Sequence, residues 1–303
     1  MPGNLRPGDL FCKVPPSEIA RNYLPPHPSR KVVNAHLRAA QRKSPPLLGR
    51  PGWRAGVAMF AAWLAPVFSA RAQTDEIQVY DAAIAPVGAF NLTVHNNFTP
   101  NGTTVPGFPG AVVPDKSLNG VAEWAYGAAP WFEAGVYFPL YSVSRSGDLL
   151  YNGMKLRTLF VTPDAAKREF FYGVNFEFSF NTAHWDERTY TSEVRPIIGA
   201  HLGRFEFIFN PIVDNSWNGF SKLEFVPATR LGVALSEKYK IALEEYDDFG
   251  RVTHFLPAAR QSHQVFAVID VNTRWVGIEA GIGAGLTGAT DHRVVKLILT
   301  RDL

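Results

Sequence analysis

The sequence predicts an all-β protein, an antiparallel transmembrane β-barrel of about twelve strands preceded by a signal peptide. Three observations predict it. Apolar and polar residues alternate through segments of about ten residues, the period of a strand with one apolar face. The gaps between those segments alternate between short and long, as barrel turns and loops do. A short apolar run with basic flanks and an A-x-A end stands ahead of them all.

Composition sets the outer bounds. The chain has 303 residues, 46% hydrophobic and 19% charged, which excludes a wholly disordered protein. It holds no run of about 20 apolar residues, so a bundle of membrane helices is excluded. Its one cysteine, Cys12, excludes an internal disulfide framework, a thiolate zinc site and an iron–sulfur cluster. The net charge of +3 conceals a division. Residues 1–72 carry eleven Lys/Arg and two Asp/Glu, and the residues after them carry 19 basic and 25 acidic side chains. The basic balance belongs to the leader, so no nucleic-acid partner is expected.

Taken in order, residues 1–49 are rich in proline and arginine and show no apolar period. They read as disordered, or as residues ahead of the true start codon. Arg50 and Arg54 precede the apolar run Ala55–Phe68, and Ala70-Arg71-Ala72 follows it. This predicts a signal peptide over 50–72, cleaved after Ala72 to leave Gln73 at the mature N-terminus. Residues 73–86 are expected to form a periplasmic segment, and 87–303 the barrel. The address is the outer membrane of a Gram-negative cell.

The strands are predicted at 87–98, 118–127, 131–141, 151–161, 168–181, 190–202, 204–213, 222–235, 238–246, 262–271, 274–286 and 292–303. The clearest is Arg168–Asn181, where Phe170, Tyr172, Val174, Phe176, Phe178 and Phe180 share one face. In Phe132–Leu140, Phe132, Val136, Phe138 and Leu140 oppose Glu133, Gly135 and Tyr137. An apolar face toward lipid puts the other face in the lumen. The lumen candidates are His95, Glu123, Glu133, Glu177, Glu193, Arg195, Glu206, Glu224, Asp270 and Glu279. Trp124, Tyr126, Trp131, Tyr141, Tyr151, Tyr190 and Trp275 fall near strand ends, as interfacial girdles require. Pro139, Pro196, Pro211 and Pro227 fall inside predicted strands and call for bulges or strand ends.

The stretches Glu76–Asp81 (EIQVYD), Phe90–Pro100 (FNLTVHNNFTP), Glu123–Gly127 (EWAYG), Arg195–Gly199 (RPIIG), Phe207–Pro211 (FIFNP) and Glu244–Gly250 (EEYDDFG) carry a resemblance. They resemble a group of proteobacterial outer-membrane transporters, similar to the barrel family named after the meta-pathway of phenol degradation. The resemblance implies the fold and the address, and names no solute. The final strand, His292–Leu303, resembles the terminal signal of barrels, though it ends in Leu303 rather than an aromatic residue.

Other constellations carry less. His184-Trp185-Asp186-Glu187 reads as a solvated loop. The acidic run Glu244, Glu245, Asp247 and Asp248 lacks the spacing of an EF-hand. Ser262-His263 has no orienting acid at a diagnostic spacing. The glycines Gly277, Gly281, Gly283, Gly285 and Gly288 are expected to relieve crowding inside the barrel. No cofactor, metal or catalytic residue is assigned. The leading functional expectation is a channel or uptake protein for small solutes and not an enzyme. Its partners would be outer-membrane lipid, the barrel-assembly machinery and an unnamed solute. Two alternatives stand beside it: an outer-membrane lipid hydrolase on the same fold, and a secreted ligand-binding β-sandwich.

Overall fold

Twelve long strands alternate in direction along the chain: β1 Phe90–Asn101, β2 Leu118–Ala129, β3 Phe132–Val143, β4 Leu149–Val161, β5 Phe170–Asn181, β6 Tyr190–Leu202, β7 Phe205–Asn210, β8 Ala228–Ala234, β9 Tyr239–Asp248, β10 Ser262–Asn272, β11 Gly277–Gly285 and β12 Arg293–Asp302. The computed structural model describes residues 76–303. The expected leader over 1–49 and the signal peptide over 50–72, with its Ala70, Ala72 and Gln73 processing site, lie outside the described residues. Each strand pairs antiparallel with the next, and β1 pairs with β12, so the sheet closes on itself. Closure leaves no edge in the barrel wall, as a sheet crossing lipid requires. A β-sandwich would have kept edges, so the sandwich alternative gives way to the barrel.

Side chains alternate across the wall. Along β5 the outward Phe170, Tyr172 and Phe176 are exposed, while the inward Phe171, Asn175 and Glu177 are buried. Aromatic residues gather at both ends of the outward face. Trp131 packs on Phe132 and Phe160 beside the turns, with ring centroids 5.8 and 6.1 Å away. Phe178 and Tyr190 stack at 6.1 Å at the loop end. Inward glycines make room for large neighbours. A Cβ on Gly283 would meet the Phe266 ring, and one on Gly281 would press on the Lys296 stem.

The prolines mark where the ladder changes. Pro139 lies within the register shift between Tyr137 and Leu140 in β3. That shift corrects the expected face of Leu140, which turns inward and is fully buried. Pro196 sits where β6 passes from one partner to another: Val194 pairs with Val213, and Ile198 pairs with Phe209. Its missing N–H therefore falls in a gap between two pairings on that side. Pro211 ends β7, and Pro227 precedes β8. The expected strands 204–213 and 222–235 are accordingly shorter. Their removed ends become the short strands Val213–Asn215 and Glu224–Phe225. With Gly250–Arg251 and His254–Phe255, these continue the sheet from β6 at the loop end.

Turns at 130–131, 203–204, 235–238 and 273–276 occupy one end, and the connections at 102–117, 182–189, 211–227, 249–261 and 286–292 the other. The connection at 144–148 is shorter than expected because β3 and β4 run further. A periplasmic N-terminus would put the long connections outside the cell. Thr104→Cys and Thr253→Cys should then label on whole cells with an impermeant thiol reagent, and Ser236→Cys should not. The reverse pattern would invert the barrel.

Candidate functional site: the barrel lumen

Period-two alternation places charged side chains from almost every strand inside the ring. They meet there in three groups. In the first, Arg157 on β4 is ion-paired with both Glu123 on β2 and Glu133 on β3, and its Nε donates to Asn175 Oδ1 at 3.2 Å. His95 Nε2 lies 3.3 Å from Glu123 Oε2. In the second, Arg195 Nε donates to Glu193 Oε1 at 2.6 Å, and its Nη1 reaches Glu76 Oε1 at 3.2 Å. Lys155 Nζ is 3.4 Å from Glu177 Oε2.

The third group is the densest. Arg230 on β8 is paired with Glu244 and Asp270, and lies 3.2 Å from Glu206 and 3.5 Å from Glu279. Lys296 on β12 has no solvent exposure. Its Nζ is paired with Glu244 and with Glu279 Oε1 at 2.6 Å. Lys240 Nζ holds Glu206 Oε2 at 2.6 Å. Charges removed from water in this way need partners, and each of these has at least one.

A segment ahead of the first strand runs through these groups. Glu76, Ile77, Val79, Tyr80, Ala82 and Ala85 are all buried. The Asn210 side chain grips the Tyr80 backbone twice, accepting from its N–H at 2.8 Å and donating to its carbonyl at 3.1 Å. The Tyr80 hydroxyl is hydrogen-bonded to that of Tyr137, and its ring lies beneath the Arg195 guanidinium at 4.3 Å and beside that of Arg157 at 5.2 Å. Ala85 N–H donates to Glu133 Oε2 at 2.5 Å, and Lys296 Nζ donates to Ile77 O at 3.1 Å. Gly127 lets the segment leave past β2, since a Cβ there would collide with the Ala85 and Pro86 carbonyls. The stretch expected to sit in the periplasm is therefore housed within the barrel over 76–85. The physical reason is complementarity: its carboxylate, carbonyls and one aromatic ring match the donors and guanidinium faces of the wall.

Nine of the ten expected lumen residues lie on the inward face of the barrel strands. His95, Glu123, Glu133, Glu177, Arg195 and Glu206 are buried, and Glu193, Asp270 and Glu279 join the ion pairs. Glu224 is the exception. It stands on a two-residue strand beyond the barrel, paired with Asp214 and Arg251, because Pro227 interrupts the strand expected there. The carboxylates among these nine are all ion-paired. Residues not singled out include Glu76, Tyr80, Lys155, Arg157 and Lys240. Lys155 and Arg157 flank Leu156 with the same alternation that exposed the others, so the period could have found them.

Ser262 and His263 do not meet. As neighbours on β10 they point to opposite faces, Ser262 Oγ toward Thr290 and His263 toward Asp247. His184 is held by Asn152 and Thr182, each at 3.2 Å, and Trp185 is buried, so that run is part of a packed loop.

No family model matches the sequence, and no curated protein matches it. Solved structures do. The COG4313 outer membrane channel from Pseudomonas putida F1 aligns with a TM-score of 0.51 at 13% identity, over 75% of this chain and all of that one. The fold is that of an outer-membrane β-barrel. The translocator domain of the autotransporter NalP from Neisseria meningitidis (TM-score 0.39, 12% identity, 71% of this chain and 88% of that one) has lower similarity. So has LpxR from Salmonella typhimurium (TM-score 0.37, 8% identity, 70% and 99%). These comparisons support an outer-membrane β-barrel and carry no evidence for the expected kinship with the phenol-degradation barrels.

Proposed function

We propose that this outer-membrane barrel is a passive channel for small solutes, biased toward cations, with residues 76–85 as its resident constriction. The observation that carries this reading is the make-up of the lumen. The charged groups joined there are the carboxylates of Glu76, Glu123, Glu133, Glu177, Glu193, Glu206, Glu244, Asp270 and Glu279 against the cations of Lys155, Arg157, Arg195, Arg230, Lys240 and Lys296. A fixed excess of negative charge concentrates cations in a narrow pore. The stretches that resemble transporter barrels, EIQVYD among them, support the same reading. The barrel is not an enzyme on this view, and its partners are lipid, the assembly machinery and the solute.

Reversal potentials in planar bilayers test the proposal. The triple variant Glu177→Gln, Glu206→Gln, Glu279→Gln should lose cation preference in a salt gradient. Because each of these carboxylates has a basic partner, the same variant should also unfold more easily. A folded triple variant that conducts with unchanged selectivity would sink the cation bias.

A further inference from the structure

The outward face carries one departure from its own rule. Its barrel-strand positions are apolar, aromatic or small nearly throughout, because a carboxylate turned toward lipid must be neutralised or reach water. Among the described barrel strands, only Glu245 and Asp247 place carboxylates on that face. They continue the outward stripe of Tyr239, Ile241 and Leu243 on β9 at the end with the long loops. The register sets Asp247 directly across from His263 on β10. One ligand atom from each of Glu245, Asp247 and His263 lies within 4.8 Å of the others.

We propose that Glu245, Asp247 and His263 form a divalent-cation site on the outward rim of the barrel. Four features of the chemistry support it. The ligands come from two neighbouring strands whose pairing fixes their spacing, so little freedom is lost on binding. Asp247 Oδ1 already holds His263 Nδ1 at 2.6 Å, which sets the plane of the imidazole. Gln261 Oε1 lies 3.1 Å from His263 Nε2 on the other side of the ring, where it holds the imidazole in place while Nδ1 faces Asp247. The Phe249 ring meets the imidazole edge-on at 5.6 Å and shields one side.

The donor set selects the ion class. Two carboxylates with one imidazole suit a borderline cation such as zinc more than calcium or magnesium, which take all-oxygen shells. Binding takes the place of the contact between His263 Nδ1 and Asp247 Oδ1, and the cation neutralises both carboxylates at once. The remaining coordination positions face the rim, where water or a phosphate oxygen completes the shell. The proposal does not depend on whether the barrel conducts.

Zinc titration calorimetry on the mature, untagged barrel in detergent near neutral pH tests it. Wild type should show one saturable site. His263→Gln and Asp247→Asn should each weaken it by about tenfold or more while keeping the gel mobility of a folded barrel. Glu245→Gln, at an exposed position, should also weaken it and decides the matter if the other two fail to fold. His254→Gln, on the exposed strand beyond the barrel, should bind as wild type does. A wild type without a saturable site, or a folded His263→Gln variant binding zinc normally, would overturn the proposal. So would loss of binding in the His254 variant.

Discussion

Replacing Arg230 with methionine should destabilise the barrel by about 3–5 kcal/mol, the cost of breaking a buried ion pair from one side. Arg230 is the shared partner of Glu206, Glu244, Asp270 and Glu279, and its side chain is only 5% exposed. Methionine fills a similar volume and carries no charge. Lys240 would still answer Glu206, and Lys296 would still answer Glu244 and Glu279. Asp270 would lose its only ion-pair partner among the described residues. Urea unfolding in detergent, followed by heat-modified gel mobility, reads the effect. Adding Asp270→Asn to Arg230→Met should recover part of the loss, since the carboxylate left alone is then gone. A single variant as stable as wild type would show that water already solvates this cluster.

Removing residues 76–85 should raise single-channel conductance severalfold without unfolding the barrel. The segment contributes no strand to the ring, whose pairings close without it. What it contributes is bulk, the Glu76 charge and an apolar patch, Val79, Tyr80 and Ala82, that packs with Leu159, Phe171 and Ile197. Tyr80 spans from Asn210 on β7 to Tyr137 on β3, and Ile77 lies against Lys296 on β12. These contacts reach three separate parts of the wall, so the segment crosses the lumen. Tyr80→Ala should reproduce part of the increase, because it removes the ring lying under Arg195 and the hydroxyl bonded to Tyr137. Arg195 keeps Glu193 in the deletion, so the wall need not collapse. Planar-bilayer recordings on both variants check the expectation. Equal conductance in wild type and deletion would place the constriction elsewhere.

Much of the fold is legible in the sequence because a barrel wall is written locally. A residue and its next-but-one neighbour share a face, so Phe170 to Phe180 disclose β5 without any knowledge of its partners. Nine lumen residues follow from that rule. It fails where the register slips. Leu140 is read outward from its spacing to Phe138, and the shift after Tyr137 turns it inward. Glu224 is read into a barrel strand that Pro227 ends early. The segment around Tyr80 has no period to read, since its place is fixed by side chains far along the chain such as Asn210 and Lys296. The Asp247–His263 pair is hidden for the same reason. Sixteen positions separate the two residues, and only the β9–β10 register brings them face to face.

The seam between β1 and β12 has a consequence for how the molecule is made. Asn91 pairs with Asp302, and His95 with Ile298, so the twelfth strand completes the ring that the first strand began. Bringing such distant stretches together carries the largest loop-closure entropy in the chain, which makes the seam the late step of folding. Residues 76–85 lie immediately ahead of β1, tethered to one lip of that seam. They are present before it shuts, so the cylinder can wrap around its own occupant. Assembly on this plan never requires threading a free end through a finished tube.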